Sequence, residues 1–425
     1  MGMKVYLDSI GCRLNQSEIE KLGRQFREAG HELVGSAADA DLVVVNTCAV
    51  TAAASADSRK KIRHAARAGN VRIVATGCYA TIDPQTVAEL PSVEFIFSNT
   101  EKDHIVGQVT GNTMLDQLDL SPRIPLPGDH KRTRAFIKVQ DGCDNFCTFC
   151  ITRIARGKSR SISKEVIFRD IEAALAGGVK EIMLTGVNLG SWGKEGAGQG
   201  SLGMLIQEMI HQLNPPRLRL SSLEPWDVDD DILHVLKLPG FCHHLHLPLQ
   251  SGSDEILTKM ARRVDRKEYE NTIKKIRGIS PEIALTTDIM VGFPGETDEF
   301  FEESLDFVQR MNFAGGHVFS YSLRPGTPAE RFPDRINSGQ IKIRSKRMRE
   351  VIDHSALQYK ENFLGREVEV LWERSAKAGD YWELSGLSGS YISVTSVMNE
   401  DLYNCISRVS VERVVNGSLF GKILP

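Results

Sequence analysis

The sequence predicts a three-part α/β chain: a doubly wound parallel sheet, an incomplete parallel β/α barrel and a small all-β barrel. Three observations predict it. Strand and helix patterns alternate through residues 1–112, they alternate again across 129–362, and short strand-like runs between Gly, Ser and Asn turns fill 363–425. Buried strands alternating with amphipathic helices imply parallel sheets, because each parallel crossover needs a helix to return the chain. A length of 425 residues suits three domains, at roughly 150 residues each.

In the first part, residues 4–9 are apolar enough for a strand and 17–30 carry the amphipathic period of a helix. Residues 41–46, with Leu42, Val43, Val44 and Val45 in succession, form a continuous apolar run suited to a buried parallel strand. An Ala-rich helix over 52–68 ends at Gly69, and 71–76 makes the next strand. A flavodoxin-like strand order is one arrangement of such units. Residues 111–131, interrupted by Pro122, Pro125 and Pro127, read as a linker. Six strands follow, at 134–140, 181–186, 217–222, 243–249, 285–291 and 317–322, with helices between them. That is two units short of a closed eight-fold barrel, so a partial (β/α)6 barrel is expected. A helix over 340–363 leads out of it. Strands at 367–372, 381–384, 392–397 and 402–409 then make a small, OB-like barrel.

Charge and composition narrow the function classes. Lys plus Arg number 52 against 55 Asp plus Glu, a formal charge of −3, so any nucleic-acid partner must meet a local basic patch. Candidate patches are the helix runs Arg59, Lys60, Lys61, Arg63 and Lys342, Arg344, Lys346, Arg347, Arg349. The module 363–425 is slightly acidic, with six basic and eight acidic residues. It would read RNA by stacking, with Tyr381, Trp382 and Tyr391 as platforms. No apolar run approaches a membrane span and no signal peptide opens the chain, so no membrane partner and a cytoplasmic location are expected. In a reducing compartment, eight cysteines point to metal binding or catalysis rather than disulfides.

Cys12, Cys48 and Cys78 each follow closely on an expected strand, 36 and 30 residues apart, or about one βα unit each. The carboxyl ends of strands in an open parallel sheet share an edge where ligands gather. Three thiolates delivered there suit an iron–sulfur cluster with one iron left open. Three buried core cysteines and a zinc site are the competing readings, although structural zinc usually takes four ligands including a close pair. Cys143-Asp-Asn-Phe-Cys147-Thr-Phe-Cys150, a CxxxCxxC just after the first barrel strand, is a sharper signal. It lets one loop wrap three thiolates round a cubane and leaves the fourth iron for an exogenous ligand, unlike the ferredoxin run with its fourth cysteine. Cys242 and Cys405 read as ordinary small residues. Gly157-Lys158-Ser159 is not a phosphate loop, because Thr152 stands where the loop needs glycine. His243, His244 and His246 read as strand residues beside the barrel mouth rather than as a metal site.

A CxxxCxxC on the first strand of a partial barrel resembles the radical S-adenosylmethionine (SAM) superfamily. Ile10-Gly-Cys-Arg-Leu-Asn-Gln, Val45-Asn-Thr-Cys-Ala-Val-Thr and Thr76-Gly-Cys-Tyr-Ala narrow the resemblance to its methylthiotransferases. Leu184-Thr-Gly-Val-Asn188, Leu220-Ser-Ser-Leu-Glu-Pro225 and His246-Leu-Pro-Leu-Gln-Ser-Gly252 match the same family. So do Ile289-Met-Val-Gly-Phe-Pro-Gly-Glu296 and Tyr321-Ser-Leu-Arg-Pro-Gly-Thr327, and the terminal module resembles the family's RNA-binding TRAM domain.

The resemblance implies an enzyme with two 4Fe–4S clusters. Cys143, Cys147 and Cys150 would hold the cluster that binds SAM and cleaves it to a 5′-deoxyadenosyl radical, with electrons from an external donor. Cys12, Cys48 and Cys78 would hold an auxiliary cluster that presents the sulfur to be methylated and delivered. Phe149, Gly186, Asn188, Ser221, Glu224 and Gln250, at or near the carboxyl ends of barrel strands, are the expected SAM contacts. Gly11-Cys-Arg-Leu-Asn-Gln, Thr51, Ala56-Asp-Ser-Arg59 and Ile62-Arg63 look most like the subgroup acting on N6-threonylcarbamoyladenosine beside the tRNA anticodon. Isopentenyladenosine in tRNA and an aspartate of a ribosomal protein are the substrates of the neighbouring subgroups, and a non-catalytic iron–sulfur RNA-binding protein is the reading from another class. A threonyl carboxylate calls for a cation near the barrel mouth. Arg153, Arg156, Lys158, Arg160 and Arg324 are the candidates, with tRNA phosphate as the competing partner for each.

Overall fold

The computed structural model describes residues 2–111, 124, 126, 133–195 and 200–425. The expected linker lies almost wholly outside the described residues. Before it stand five parallel strands: β1 (Lys4–Ser9), β2 (Glu32–Leu33), β3 (Leu42–Thr47), β4 (Arg72–Gly77) and β5 (Val93–Phe97). Their order is β2-β1-β3-β4-β5, the flavodoxin-like arrangement. All six residues of β3 are buried, because a central parallel strand is covered by helices on both faces. Helix α1 (Arg13–Glu28) turns Leu14, Ile19, Leu22 and Phe26 inward. Helix α2 (Ala52–Ala66) begins at Thr51, whose hydroxyl accepts from the Ala54 amide. The chain order reverses between β1 and β3, where doubly wound sheets open their ligand crevice.

Six further parallel strands form the open barrel: β6 (Arg134–Lys138), β9 (Glu181–Thr185), β10 (Arg217–Leu220), β11 (His244–His246), β12 (Ala284–Val291) and β13 (Gly315–Ser320). A two-residue pair, β7 (Gln140–Asp141) and β8 (Arg160–Ser161), lies between β6 and β9. The three strands β10-β9-β6 and the three strands β11-β12-β13 are joined by single bridges, Leu218 to Phe241 and Ser222 to His246. The expected six-strand count therefore stands, and the sheet is left with two edges. α1 lies against β6 and the exit helix Ser338–Glu361 lies against β13, so both edges are covered rather than exposed to pairing.

The last part is a closed barrel of five strands, one more than the sequence reading expected. β14 (Glu367–Ala378), β15 (Tyr381–Ser388), β16 (Ser393–Met398), β17 (Ile406–Val415) and β18 (Ser418–Ile423) follow the order β14-β15-β16-β18-β17. Val370, Trp372, Leu384, Val394, Val409 and Leu419 fill it. The missed strand follows a tight turn at Asn416 and Gly417, both with positive φ, and Asn-Gly is the signal that announces such a hairpin.

This barrel docks through its β15–β16 turn. Arg217 donates to the carbonyls of Leu387 and Ser388, and Arg219 to those of Ser388 and Gly389. Glu181, fully buried on the neighbouring strand, pairs with both arginines at 2.8 and 2.9 Å. Burial pushes the Glu181 carboxyl up, but Arg219 and Arg217 outweigh it and lower its pKa to about 2. Glu181→Gln leaves two guanidinium groups without their buried counter-charge. It should cost about 3–5 kcal/mol, measured by urea unfolding at pH 7. Because the folded pKa is depressed, the carboxylate's contribution is present above the ordinary value of 4.5 and is lost as pH falls from there toward about 2. The gap between wild type and variant should close over that window.

Candidate active site

The carboxyl ends of three adjacent strands, β1, β3 and β4, lead within three residues to Cys12, Cys48 and Cys78. Gly11 makes the first approach: at φ +102° a Cβ there would stand 2.7 Å from both Cβ and Sγ of Cys48, so the Cys12 loop passes the second thiol only where no side chain intervenes. Gly77, at φ +96°, plays the same part before Cys78, since a Cβ there would meet Thr47 O at 2.4 Å. Asn15 donates to the carbonyls of Ile10 and Thr47, tying the ends of β1 and β3 together. Asn99 donates to the Cys78 sulfur at 3.6 Å.

The second triad sits on the loop that leaves β6. β7 and β8 pin the loop's base, and the Cys143 amide donates to Gly157 O at 3.1 Å. Burial and then the neighbouring Cys150 and Cys147 thiols push the Cys143 thiol up to about 11. Such crowded thiols ionise together only beside a strong positive charge, which a metal cluster supplies. Burial likewise raises Cys147, although Arg262 opposes it, with Nη1 3.8 Å from the sulfur. All eight cysteines lack disulfide partners, and the six triad residues line one cavity of about 980 Å3 between the first domain and the barrel.

Phe149, Gly186, Ser221, Glu224 and Gln250 line that cavity too. Among the described residues the Ser221 hydroxyl, buried in its wall, has no hydrogen-bond partner, which suits a site that takes a polar ligand. Phe149 sets its edge against Phe293, 6.4 Å between centroids. Asn188 lies just behind the wall, its amide donating to Gln140. Glu224 already holds a partner that the sequence reading missed: Arg262 donates to both its oxygens, at 2.6 and 3.2 Å, and to Pro248 O. Arg262 follows the short helix Asp254–Lys259 without any local motif to mark it. His244 and His246 share the Thr286 hydroxyl at 2.9 Å, as strand residues of the interior.

The five expected cations divide. Arg153 lines the cavity, its guanidinium carbon 3.9 Å from the ring centroid of Phe146, which is 64% exposed. Lys158 is exposed, and Arg160 pairs with Asp141 at 3.3 Å. Arg156 lines the cavity but is only 1% exposed and already paired: it donates to Glu18, Asp141 and Asn15 at 2.8, 3.0 and 2.7 Å. Arg324, 8% exposed, is also buried, and it donates to the Ser55 hydroxyl of α2. The basic runs are partly neutralised as well, Lys61 by Asp8, Arg344 by Glu296 and Asp298, and Arg347 by Glu302. Tyr391 lines the cavity, with its ring stacked on His244 at 4.8 Å.

An open parallel barrel with a three-thiol loop at the carboxyl end of its first strand defines a SAM-cleaving radical enzyme. Residues 137–308 match the family described as Radical SAM superfamily, and residues 4–98 match that described as Uncharacterized protein family UPF0004. Threonylcarbamoyladenosine tRNA methylthiotransferase MtaB of Thermotoga maritima is 36% identical, over 93% of this chain and 92% of its own. The Bacillus subtilis protein of the same name is 31% identical, over 96% and 93%. The tRNA-2-methylthio-N(6)-dimethylallyladenosine synthase of Bacillus velezensis is 31% identical, over 99% and 86%. The chain belongs to the methylthiotransferase family of radical SAM enzymes. In fold, it is similar to the radical SAM methyltransferase TsrM of Kitasatospora setae, with a TM-score of 0.60, 16% identity and 77% of each chain covered. Among the described residues no helix is long and apolar enough to cross a membrane.

Family membership brings SAM and a 4Fe–4S cluster, and the CxxxCxxC loop fits the cluster by its donor set. Arg262 tunes that site from behind, so Arg262→Met should speed iron loss from the Cys143 loop to a chelator by about 10- to 100-fold. Iron release followed by absorbance checks this, and Arg262→Lys should recover part of the loss.

Proposed function

We propose that the protein converts N6-threonylcarbamoyladenosine, next to the anticodon at tRNA position 37, to its 2-methylthio derivative. The observation that carries the reading is the convergence of two separate thiol triads on one cavity. A single triad suffices to cleave SAM, and a second beside it supports a site that also holds a sulfur to deliver. Cys12, Cys48 and Cys78 would hold the auxiliary 4Fe–4S cluster, and Cys143, Cys147 and Cys150 the one that binds SAM. When bound, the two groups supply the radical and the transferable sulfur, which an unreactive aromatic C–H requires.

The protein's own residues bind, orient and exclude water. Gly186, whose missing Cβ makes room for Gln140, contributes backbone to the wall that would take SAM, Ser221 and Gln250 offer hydrogen bonds, and Phe149 covers one face. Asn188 would orient this wall from behind, and Glu224, held by Arg262, presents an oriented carboxylate. Arg153 with Phe146 at the rim gives a cation and an exposed ring for tRNA phosphate and base; Lys158 and Arg160 extend this basic margin. The relatives named for threonylcarbamoyladenosine, at 31–36% identity, support the substrate. We read the reaction as cytoplasmic, drawing electrons from an external donor.

Anaerobically reconstituted protein should bind about eight irons in two 4Fe–4S clusters. Cys143, Cys147 and Cys150 replaced together by Ala should halve the iron and abolish 5′-deoxyadenosine. Replacing Cys12, Cys48 and Cys78 should also halve it, spare 5′-deoxyadenosine and eliminate methylthio product; product from this variant would make the second triad structural. The substrate is tested by mass spectrometry of nucleosides after reaction with two tRNAs. Modification of threonylcarbamoyl tRNA is expected, and activity confined to isopentenyl tRNA would overturn the substrate while leaving the family.

A further inference from the structure

Among the described residues, Arg13 differs from Arg156 and Arg262, which also line the cavity, in having no carboxylate partner. Arg13 directly follows Cys12 and lines the cavity. Among the described residues no carboxylate lies within 4.0 Å of it, because the nearby Glu181 is consumed by Arg217 and Arg219. Its partner is Tyr391, whose hydroxyl accepts from Arg13 Nη2 and whose ring centroid stands 5.3 Å from the guanidinium carbon. Tyr391 is itself held tightly. Its ring stacks on His244 at 4.8 Å and faces the Arg219 guanidinium at 4.9 Å. It also adopts φ +61°, left-handed backbone that a bulky residue keeps only where its surroundings enforce it.

A partly buried guanidinium without a counter-ion is unfavourable, and an incoming carboxylate would complete it with two parallel hydrogen bonds. The other deep arginines of the cavity are already satisfied, Arg156 by Glu18 and Asp141 and Arg262 by Glu224. Arg153 stands at the rim over Phe146. Lys360 also lines the cavity, but as a flexible point charge rather than a planar fork.

We propose that Arg13, presented by Tyr391 of the terminal barrel, is the carboxylate receptor of the cavity and selects the threonylcarbamoyl group over neutral N6 substituents. This rests on the function proposed above. Arg13 was not among the cations expected from sequence, although it stands within the Gly11-Cys-Arg-Leu-Asn-Gln run. Its position beside Cys12 puts the selecting charge next to the sulfur-delivering triad. Tyr391 is thereby a positioning residue supplied by another domain.

The test uses two anticodon stem–loop RNAs, one carrying N6-threonylcarbamoyladenosine and one carrying its threonyl methyl ester. Binding is followed by fluorescence anisotropy without SAM, and methylthiolation is measured with the holoenzyme. Wild type should favour the acid, and Arg13→Gln should reduce that acid-over-ester preference by about 10- to 100-fold in both readouts. Arg13→Lys should retain part of it, and Tyr391→Phe, which removes only the hydroxyl, should lose a smaller part. Equal weakening of both RNAs, or an unchanged ratio, would overturn the proposal by making Arg13 structural. A raised KM for SAM with an intact ratio would assign the receptor to the methionine carboxylate and overturn it as well. Wild-type holoenzyme that leaves the acid RNA unmodified would instead sink the functional reading, and this inference with it.

Discussion

The distance between the two thiol triads depends on one buried carboxylate. Glu18, on α1, accepts from Lys102 of its own domain and from Lys138 and Arg156 of the barrel. Burial alone would raise its pKa, but these three cations hold it well below the usual carboxylate range. Asp141 shares Lys138 and Arg156 and completes the set. Removing the Glu18 carboxylate would leave Lys102, Lys138 and Arg156 without the buried counter-charge they share, which is strongly destabilising. Arg156 also reaches Asn15, whose amide ties the ends of β1 and β3. The same network therefore connects the CxxxCxxC loop to the loops bearing Cys12 and Cys48.

A barrel two units short of closure has an accessible interior, and the rest of the chain is arranged around that opening. α1 and the exit helix cover the two sheet edges. The terminal barrel inserts its β15–β16 turn, where carbonyls of residues 387–389 answer Arg217 and Arg219. Glu181 supplies one negative charge to the two arginines, and the turn carbonyls accept their remaining N–H groups. The small barrel thus forms part of the cavity wall, a role distinct from carrying RNA on an outer surface. Its slight acidity is consistent with docking against a cluster of barrel arginines.

What was legible in the sequence was local. The positions of the six cysteines could be read because Cys12, Cys48 and Cys78 each follow a strand of a parallel sheet, and Cys143, Cys147 and Cys150 share the short spacing of one loop. The flavodoxin-like order and six barrel strands followed from alternation in the same way. What failed was any assignment that depended on a partner far along the chain. Arg156 reads as a basic residue beside a cluster, yet Glu18, 138 residues earlier, consumes its charge. Arg324 is buried against Ser55 across a separation of 269 residues. Tyr391 reads as an exposed aromatic in a turn and is stacked inside on His244.

The sequence by itself determined which elements form and which donor atoms sit at their ends, because periodicity, turn glycines and cysteine spacing act over a few residues. The tertiary structure alone decided which charges remain available inside the cavity. Arg13, Arg156, Arg262 and Arg324 are chemically alike as letters. Only the packing of three domains gives three of them protein partners deep in the interior and leaves Arg13 facing the cavity with a tyrosine hydroxyl. A charge's role depends on what desolvates and neutralises it, and those neighbours come from segments that chain order keeps far apart.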